Sequence, residues 1–158
     1  MSGPGTGGSA RPSTLPGYRT EVIPDWIDYN GHLSEAYYVL VFGFATDAAM
    51  DALGLDPGYR ERSGCSLYSV EAHVRYLSEV GLGADLQVAT EVIAVAPKKL
   101  RLAHTMRADG EVIATEEILG LHVDQGQGRT VPLPEDVRSA AEAMMSPPPD
   151  WAGRSIAV

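Results

Sequence analysis

The stretch Asp28-Tyr29-Asn30-Gly31-His32 places a carboxylate, an amide, a glycine and an imidazole within five residues. A helix is predicted to begin directly after it, at Ser34, and the first N–H groups of a helix have no partner within that helix. Such a helix start stabilises negative charge that develops on a carbonyl oxygen. Asp28 is then the candidate nucleophile or general base, and Gly31 lets the backbone approach a ligand closely. The pattern indicates acyl-transfer chemistry.

The same residue types also form ordinary turns. Asp, Asn and Gly are common turn and cap residues in front of a helix, and in that interpretation His32 only donates a hydrogen bond to a loop carbonyl. Residue types and spacing alone therefore leave two interpretations open, a catalytic loop and a purely structural turn.

A long helix follows this loop. Ser34 and Glu35 are typical of a helix start and Gly54 of a helix end, which predicts a helix over 34–53. Apolar side chains occupy every face of its first two turns. A surface helix has a single apolar stripe, whereas a helix that is apolar all round is buried on most sides. We therefore expect other elements to wrap it.

The rest of the chain has the alternation of polar and apolar residues that is typical of strands. The predicted strands are 18–24, 67–77, 86–95, 100–106 and 111–124. In the second of them, one face is predicted to hold Tyr68, Val70, Ala72, Val74 and Tyr76. Asp109-Gly110 predicts a two-residue hairpin turn, 115–117 a bulge, and 134–145 a short amphipathic helix. His104 falls on an apolar strand face and is predicted to be a core histidine.

An antiparallel sheet that curls around one central helix satisfies both the apolar helix and the alternating strands. This is the hotdog architecture, an α+β fold. We expect a leader over 1–16 that is disordered because it is rich in Gly, Ser and Pro, one domain over 17–146, and a flexible tail over 147–158 that begins with three prolines.

Charge and composition exclude several classes of function. The net charge of −9 disfavours binding to nucleic acid, and no uninterrupted apolar run approaches the ~20 residues that span a membrane. Cys65 is the only cysteine, so no internal disulfide can form. The first residues lack the basic and apolar regions of a secretory signal. We therefore expect a cytoplasmic protein without a metal or redox cofactor.

The loop from Asp28 to His32, between a strand and an apolar helix with Tyr37 near its start, resembles the 4-hydroxybenzoyl-CoA-thioesterase-like branch of the hotdog superfamily. The resemblance covers about residues 18–124 and implies that Asp28 is the catalytic carboxylate of an acyl-CoA thioesterase. The sequence departs from the family pattern at two positions. Trp26 stands where a second Asp is frequent, and Ser34 stands where Asn is common.

Within this branch, segments 24–38 and 69–77 are similar to thioesterases associated with carnitine dehydrogenases. That resemblance implies hydrolysis of betainyl-CoA to glycine betaine and CoA. Betaine carries a quaternary ammonium, which proteins bind on aromatic faces. Trp26 and Tyr29 flank the carboxylate in the same loop and are the better candidates for such a cage. Tyr68 is a further candidate, but it lies on an apolar strand face and fits the core better than a cage.

In the mechanism that this implies, the thioester carbonyl faces the backbone amides from His32 to Ser34. Asn30 and Gly31 complete the catalytic loop, and Asp28 either attacks the carbonyl or activates water. Lys98, Lys99 and Arg101 are the densest basic group and are candidates for binding the CoA phosphates, although a Lys-Lys hairpin is also a common solvated turn.

Two alternatives stay open at this point. A hotdog dehydratase would use His32 and Asp28 as acid and base on a hydroxyacyl-CoA, and a non-catalytic acyl-CoA-binding module would keep the fold without turnover. A curved sheet with an open edge also predicts a homodimer or homotetramer.

Overall fold

The computed structural model describes residues 14–158, which form one antiparallel sheet and three α-helices. The strands are β1 (Tyr18–Glu21), β2 (Cys65–Tyr76), β3 (Asp85–Ala96), β4 (Lys99–Ala108), β5 (Glu111–Asp124) and β6 (Arg129–Thr130). The helices are α1 (Glu35–Leu53), α2 (Pro57–Ser63) and α3 (Glu135–Ala143), and a 3-10 turn spans Pro24–Trp26. The strand order is β1-β3-β4-β5-β2 with β6 paired to β5, so β2 is an edge strand.

Helix α1 packs against one face of the sheet, and these two elements form the core together with the buried side of α3 (Glu135–Ala143). The alternating residues of β3 and β4 point at the helix as predicted: the buried set is Leu86, Val88, Thr90, Val92, Leu100, Leu102, His104 and Met106. The helix ends at Gly54, whose φ of 94° is the left-handed conformation that favours glycine. A curled antiparallel sheet around a central helix is the predicted hotdog fold, and this prediction is confirmed.

One side of α1 is not covered by the rest of the described chain. Val39 is 43% exposed and Leu40 is 39% exposed, both on the side of the helix next to β2. The expectation that this helix is buried on most sides is therefore wrong for a single chain, because the sheet covers only one of its faces. By length and composition α1 is apolar enough to cross a membrane, a property that core helices such as this one share.

Strand β2 departs from the predicted alternation. Its pairing with β5 shifts register between Ser69 and Glu71, which leaves Val70 as a bulge. Because the bulge shifts the alternation, Ser69 and Ala72 both border the cavity beside α1. The prediction of one buried apolar face along this strand is wrong, and Val70 is 52% exposed.

The β4–β5 hairpin confirms one local prediction and corrects another. Asp109 and Gly110 have positive φ values of 51° and 79°, as a two-residue type I′ turn requires. The bulge predicted at 115–117 is wrong. The register instead shifts between Met106 and Arg107, close to the turn.

Of the two shorter helices, the sequence analysis predicts α3 but not α2. Helix α3 is amphipathic as predicted, with Val137 and Ala141 buried. Asp56 caps α2 by accepting a hydrogen bond from the Tyr59 N–H at 2.8 Å, and Pro57 occupies the first helical position. An Asp-Pro pair is the signal that identifies this helix start.

His104 is the core histidine that the sequence predicts. Its Nε2 lies 2.9 Å from Thr46 Oγ1 and its Nδ1 lies 2.8 Å from Thr90 Oγ1, so both ring nitrogens have hydroxyl partners. Burial lowers the pKa of His104 to about 4. The ring is therefore neutral at physiological pH.

The two ends of the domain contact its body. The predicted leader falls on residues 1–13, which lie outside the described residues, and on 14–16, where Leu15 packs against the core. In the predicted flexible tail, a turn brings the Gly153 N–H to within 2.6 Å of Glu117 Oε2 on β5. This part of the tail is thus held on the sheet face opposite α1.

Candidate active site

The loop before α1 is closed around the Asp28 side chain. Asp28 Oδ1 accepts hydrogen bonds from the Asn30 N–H at 2.8 Å and from the His32 N–H at 3.2 Å. The backbone also closes the turn, from the Asp28 N–H to the His32 carbonyl at 2.8 Å. Gly31 has a φ of 80°, a conformation that glycine adopts without strain. The loop therefore holds one carboxylate oxygen in place and leaves the other without a hydrogen bond from the described residues.

His32 ties this loop to the segment after β2. Its Nδ1 lies 3.1 Å from Glu79 Oε2, and the neighbouring Leu33 N–H donates to the Val80 carbonyl at 2.8 Å. The imidazole is thus placed to orient the loop, and the same contacts form one wall of the cavity beside Asp28.

The backbone N–H groups expected to face the substrate carbonyl already donate hydrogen bonds within the protein. The His32 N–H donates to Asp28, the Leu33 N–H to Val80, and the Ser34 N–H to the Trp26 carbonyl at 3.0 Å. Ser34 occupies the N-cap position, but its hydroxyl makes no capping hydrogen bond.

The expectation that a carbonyl binds at the amides from His32 to Ser34 is therefore wrong. The first N–H groups of α1 that lack a helical partner belong to Glu35 and Ala36. No hydrogen bond from either N–H is present within residues 14–158. These two groups, one residue further along the chain, are the available donors at the helix start.

A cavity of about 400 Å³ joins the loop to the helix start. The Asp28 carboxylate, His32 and Glu35 border it on one side, and Tyr38 and Tyr76 border it on the other. The two tyrosine rings meet edge to face, with centroids 5.3 Å apart. Burial and the nearby carboxylates raise the pKa values of both tyrosines. The cavity is therefore aromatic and negatively charged, which suits a cationic group.

The three aromatic residues predicted as substrate-binding are not brought together. Trp26 stacks on Tyr37 at 5.8 Å and packs against the core. Tyr29 is 97% exposed, and Tyr68 lies on β2, where its hydroxyl accepts a hydrogen bond from Gln125. No cage of these rings exists in the single chain, because the loop points Tyr29 into solvent while the core holds Trp26.

The tyrosine pair that does face the candidate carboxylate comes from α1 and from the end of β2. Tyr38 lies one helical turn after Ser34, and its hydroxyl donates to the Ser78 carbonyl at 3.0 Å. Tyr76 is far from the loop in sequence. Its alternation places it on the helix-facing side of the strand, which is the signal that could have identified it.

The basic residues lie at the other end of the sheet. Lys98 is exposed in the β3–β4 turn, Lys99 begins β4, and Arg101 forms an ion pair with Glu117. Lys99 and Met106 are seven positions apart on β4, or about 23 Å at about 3.3 Å per residue. The neighbours of Met106 across the sheet are Ala114 and then Tyr76, at the end that carries Asp28. Within one chain, the basic group and the candidate carboxylate are not in one site.

Comparison with known proteins identifies the family. A family model described as the thioesterase-like superfamily matches residues 22–141. A betainyl-CoA thioesterase of Pseudomonas aeruginosa is 39% identical over 146 residues, which cover 88% of this chain and 92% of that protein. An L-carnitine dehydrogenase/betainyl-CoA thioesterase of Agrobacterium fabrum is 44% identical over 144 residues, which cover 88% of this chain and 30% of that protein.

Solved structures give the same result. A Staphylococcus aureus protein, solved in complex with CoA, superposes with a TM-score of 0.84 at 25% identity, over 90% of this chain and 94% of that one. The family match spans most of the chain and includes the loop, the central helix and strands β2 to β6. The chain therefore belongs to the thioesterase-like superfamily, and it is a thioesterase of the hotdog fold.

Proposed function

We propose that this thioesterase hydrolyses betainyl-CoA to glycine betaine and CoA. The observation that carries the proposal is the Asp28 carboxylate, held by two N–H donors beside a helix start and inside an aromatic, negatively charged cavity. The names of the Pseudomonas and Agrobacterium relatives support the substrate. CoA enters as part of the substrate and water is the other reactant, so the proposed reaction requires no metal or redox cofactor.

In the proposed reaction the thioester oxygen accepts hydrogen bonds from the N–H groups of Glu35 and Ala36, where the helix dipole stabilises the developing oxyanion. The free oxygen of Asp28 acts on the carbonyl carbon in one of two ways. It either attacks directly, which expels the CoA thiolate and forms a mixed anhydride that water cleaves, or it takes a proton from the attacking water. In both cases the C–S bond breaks and the thiolate takes up a proton.

The cationic end of the acyl group is proposed to lie against Tyr38 and Tyr76. A trimethylammonium group is bound by aromatic faces and by nearby negative charge, and Glu35 and Glu79 border the same cavity. This assignment replaces the cage of Trp26, Tyr29 and Tyr68, whose rings do not meet.

The active form is proposed to be a homodimer, or a tetramer built from such dimers, in the cytoplasm. Strand β2 is an edge of 12 residues with exposed apolar side chains, and the uncovered face of α1 lies beside it. A long apolar edge is a template for pairing with a second copy. The free Cys65 supports a reducing compartment.

Such a dimer also explains the position of the basic residues. The Cys65 end of β2 lies at the same end of the sheet as Lys99, and the Tyr76 end lies near Asp28. If two β2 edges pair antiparallel, the Cys65 end of one copy meets the Tyr76 end of the other. The group Lys98 to Arg101 of the second copy then approaches the cavity, where it can bind CoA phosphates.

We expect Val70→Lys to convert the oligomer to a single chain of 16.8 kDa and to lower hydrolysis with it. A lysine in the middle of the β2 edge places a charge where the second strand would pair. Light scattering coupled to gel filtration measures the mass. Leu82→Lys, at a loop position that is 62% exposed, is the matched control and leaves the mass unchanged. A wild-type protein that elutes as a single chain contradicts the dimer.

A thiol-release assay tests the substrate. Purified protein is incubated with betainyl-CoA, acetyl-CoA and a 3-hydroxyacyl-CoA, and free CoA is measured with a thiol reagent. We expect the highest kcat/KM for betainyl-CoA. Loss of water from the hydroxyacyl-CoA without thiol release would instead indicate the dehydratase, and binding without turnover would indicate the non-catalytic module.

A further inference from the structure

A buried carboxylate lies under α1, outside the loop that carries Asp28. Glu116 on β5 is 4% exposed, and its Oε1 lies 4.0 Å from Nε2 of His104, its cross-strand neighbour on β4. Neither carboxylate oxygen accepts a hydrogen bond from the residues that the structure describes. The two nitrogens of His104 are already used by Thr46 and Thr90, so the imidazole is no partner for it.

Glu116 borders a cavity of about 600 Å³ between α1 and β2. The other walls are mainly apolar and include Ala36, Val39, Leu40, Ala72 and Ile118. Burial raises the pKa of Glu116 to about 7. A buried carboxylate without partners destabilises a fold, and a hydrophobic residue at this position would avoid that cost. The group is therefore better explained by a ligand than by folding.

The position of Glu116 connects this cavity to the reaction centre. On the helix-facing side of the sheet, Glu116 pairs with Val74, and Tyr76 is its diagonal neighbour. Ala36, whose N–H is free at the helix start, borders the same cavity as Glu116. Burial and Glu35 raise the pKa of Tyr76, and Glu116 is also close enough to that tyrosine to raise it. The ammonium proposed to lie against Tyr76 is therefore next to Glu116, while the thioester carbonyl lies at the helix start.

We propose that Glu116 is a specificity-determining residue, which selects acyl-CoA substrates with a quaternary ammonium next to the thioester. This inference rests on the proposed hydrolysis of betainyl-CoA. A trimethylammonium has no N–H to donate, so apolar walls suit its methyl groups, and a single carboxylate balances its charge without hydrogen bonds. A primary ammonium would need several acceptors, which these walls do not supply.

The charge of Glu116 also makes recognition depend on pH. The titratable groups that face it are His104 from β4, Tyr76 from β2 and, across the cavity, Asp47 from α1. With a pKa near 7, the empty site is partly protonated at neutral pH, and a bound cation favours the ionised carboxylate. The KM for a cationic substrate should therefore fall as the pH rises from 6 to 8, whereas the KM for a neutral substrate should not.

The experiment compares two substrates of equal shape. Betainyl-CoA and 3,3-dimethylbutyryl-CoA differ at one atom of the acyl group. The branch point is a positively charged quaternary nitrogen in betainyl-CoA and a neutral carbon in 3,3-dimethylbutyryl-CoA. At pH 8, we expect Glu116→Gln to lower kcat/KM for betainyl-CoA by about 10-fold or more, mainly through KM, and to change kcat/KM for the neutral isostere by less than about 3-fold. Glu116→Asp keeps the charge and should retain part of the preference. Glu111→Gln, at the exposed start of the same strand, is the control and leaves both substrates unchanged.

The outcomes separate the two proposals. If the wild type releases no thiol from betainyl-CoA, the proposed substrate is wrong and the role of Glu116 fails with it. If the wild type does hydrolyse betainyl-CoA and Glu116→Gln affects both substrates equally or neither, the proposed function stands and the specificity role is overturned. If Glu116→Gln loses activity toward betainyl-CoA but not toward the neutral isostere, both the proposed function and the specificity role are supported.

Discussion

Asp28→Asn lowers the rate of thioester hydrolysis by about 100-fold or more, because the free carboxylate oxygen is lost both as a nucleophile and as a proton acceptor. The amide oxygen of the new side chain still accepts from the N–H groups of Asn30 and His32, so the loop keeps its shape. The expected effect is therefore on kcat, with little change in melting temperature. Thiol release under saturating betainyl-CoA measures it.

Asp25→Asn is the matched control for this prediction. Asp25 lies three residues earlier, in the 3-10 turn, where it is exposed and does not border the cavity. It should retain wild-type turnover. A rate close to wild type in the Asp28 variant would show that another group performs the chemistry, and the catalytic interpretation of this loop would be wrong.

Glu116→Gln increases the free energy of unfolding at pH 8 by up to about 3 kcal/mol, since each pKa unit corresponds to about 1.4 kcal/mol. The pKa of Glu116 is about 7 in the folded protein and 4.5 without the fold. Because folding raises the pKa of Glu116, its contribution to the free energy of unfolding is fully present below pH 4.5, where the carboxyl group is protonated in both states. That stability is lost as the pH rises through 7, and the neutral glutamine avoids this loss.

Urea unfolding at pH 8 and at pH 4.5 measures the difference. We expect the variant to be more stable than the wild type at pH 8 and about equal to it at pH 4.5. His104 has the opposite dependence, because its lowered pKa of about 4 removes stability as the pH falls below 6.5, but it is present in both proteins and cancels in the comparison. A variant that is less stable at pH 8 would mean that Glu116 contributes to folding rather than to ligand recognition.

Much of the fold is visible in short stretches of sequence. The alternation of β3 and β4, the Asp109-Gly110 turn and the bounds of β5 each depend on residues that are close along the chain. Side-chain direction within one strand or helix follows from its period, so the sequence shows it without further information. The shape of the loop from Asp28 to His32 also depends on residues close along the chain, since its hydrogen bonds join residues at most four apart.

Other features depend on pairing between distant segments. The bulge at Val70 follows from the register between β2 and β5, and it reverses the faces that a strict alternation assigns. The open side of α1 depends on how far the sheet curls. The Leu33 N–H is lost as a donor to the substrate because it bonds to Val80, which is far along the chain. No local pattern reports these pairings.

The sequence by itself determined the hotdog fold through its periodicity and the thioesterase family through its resemblance to known members. It also offered the carboxylate at position 28 as a candidate, because a short motif is a property of neighbouring residues. Only the tertiary structure decided which amides are free, which aromatic rings face the carboxylate, and that the basic residues lie at the far end of the sheet. It also placed Glu116, one of two adjacent glutamates in the sequence, on the side of the sheet that faces α1, and Glu117 on the opposite side. The physical reason is that these contacts are set by strand register and helix packing across the sheet.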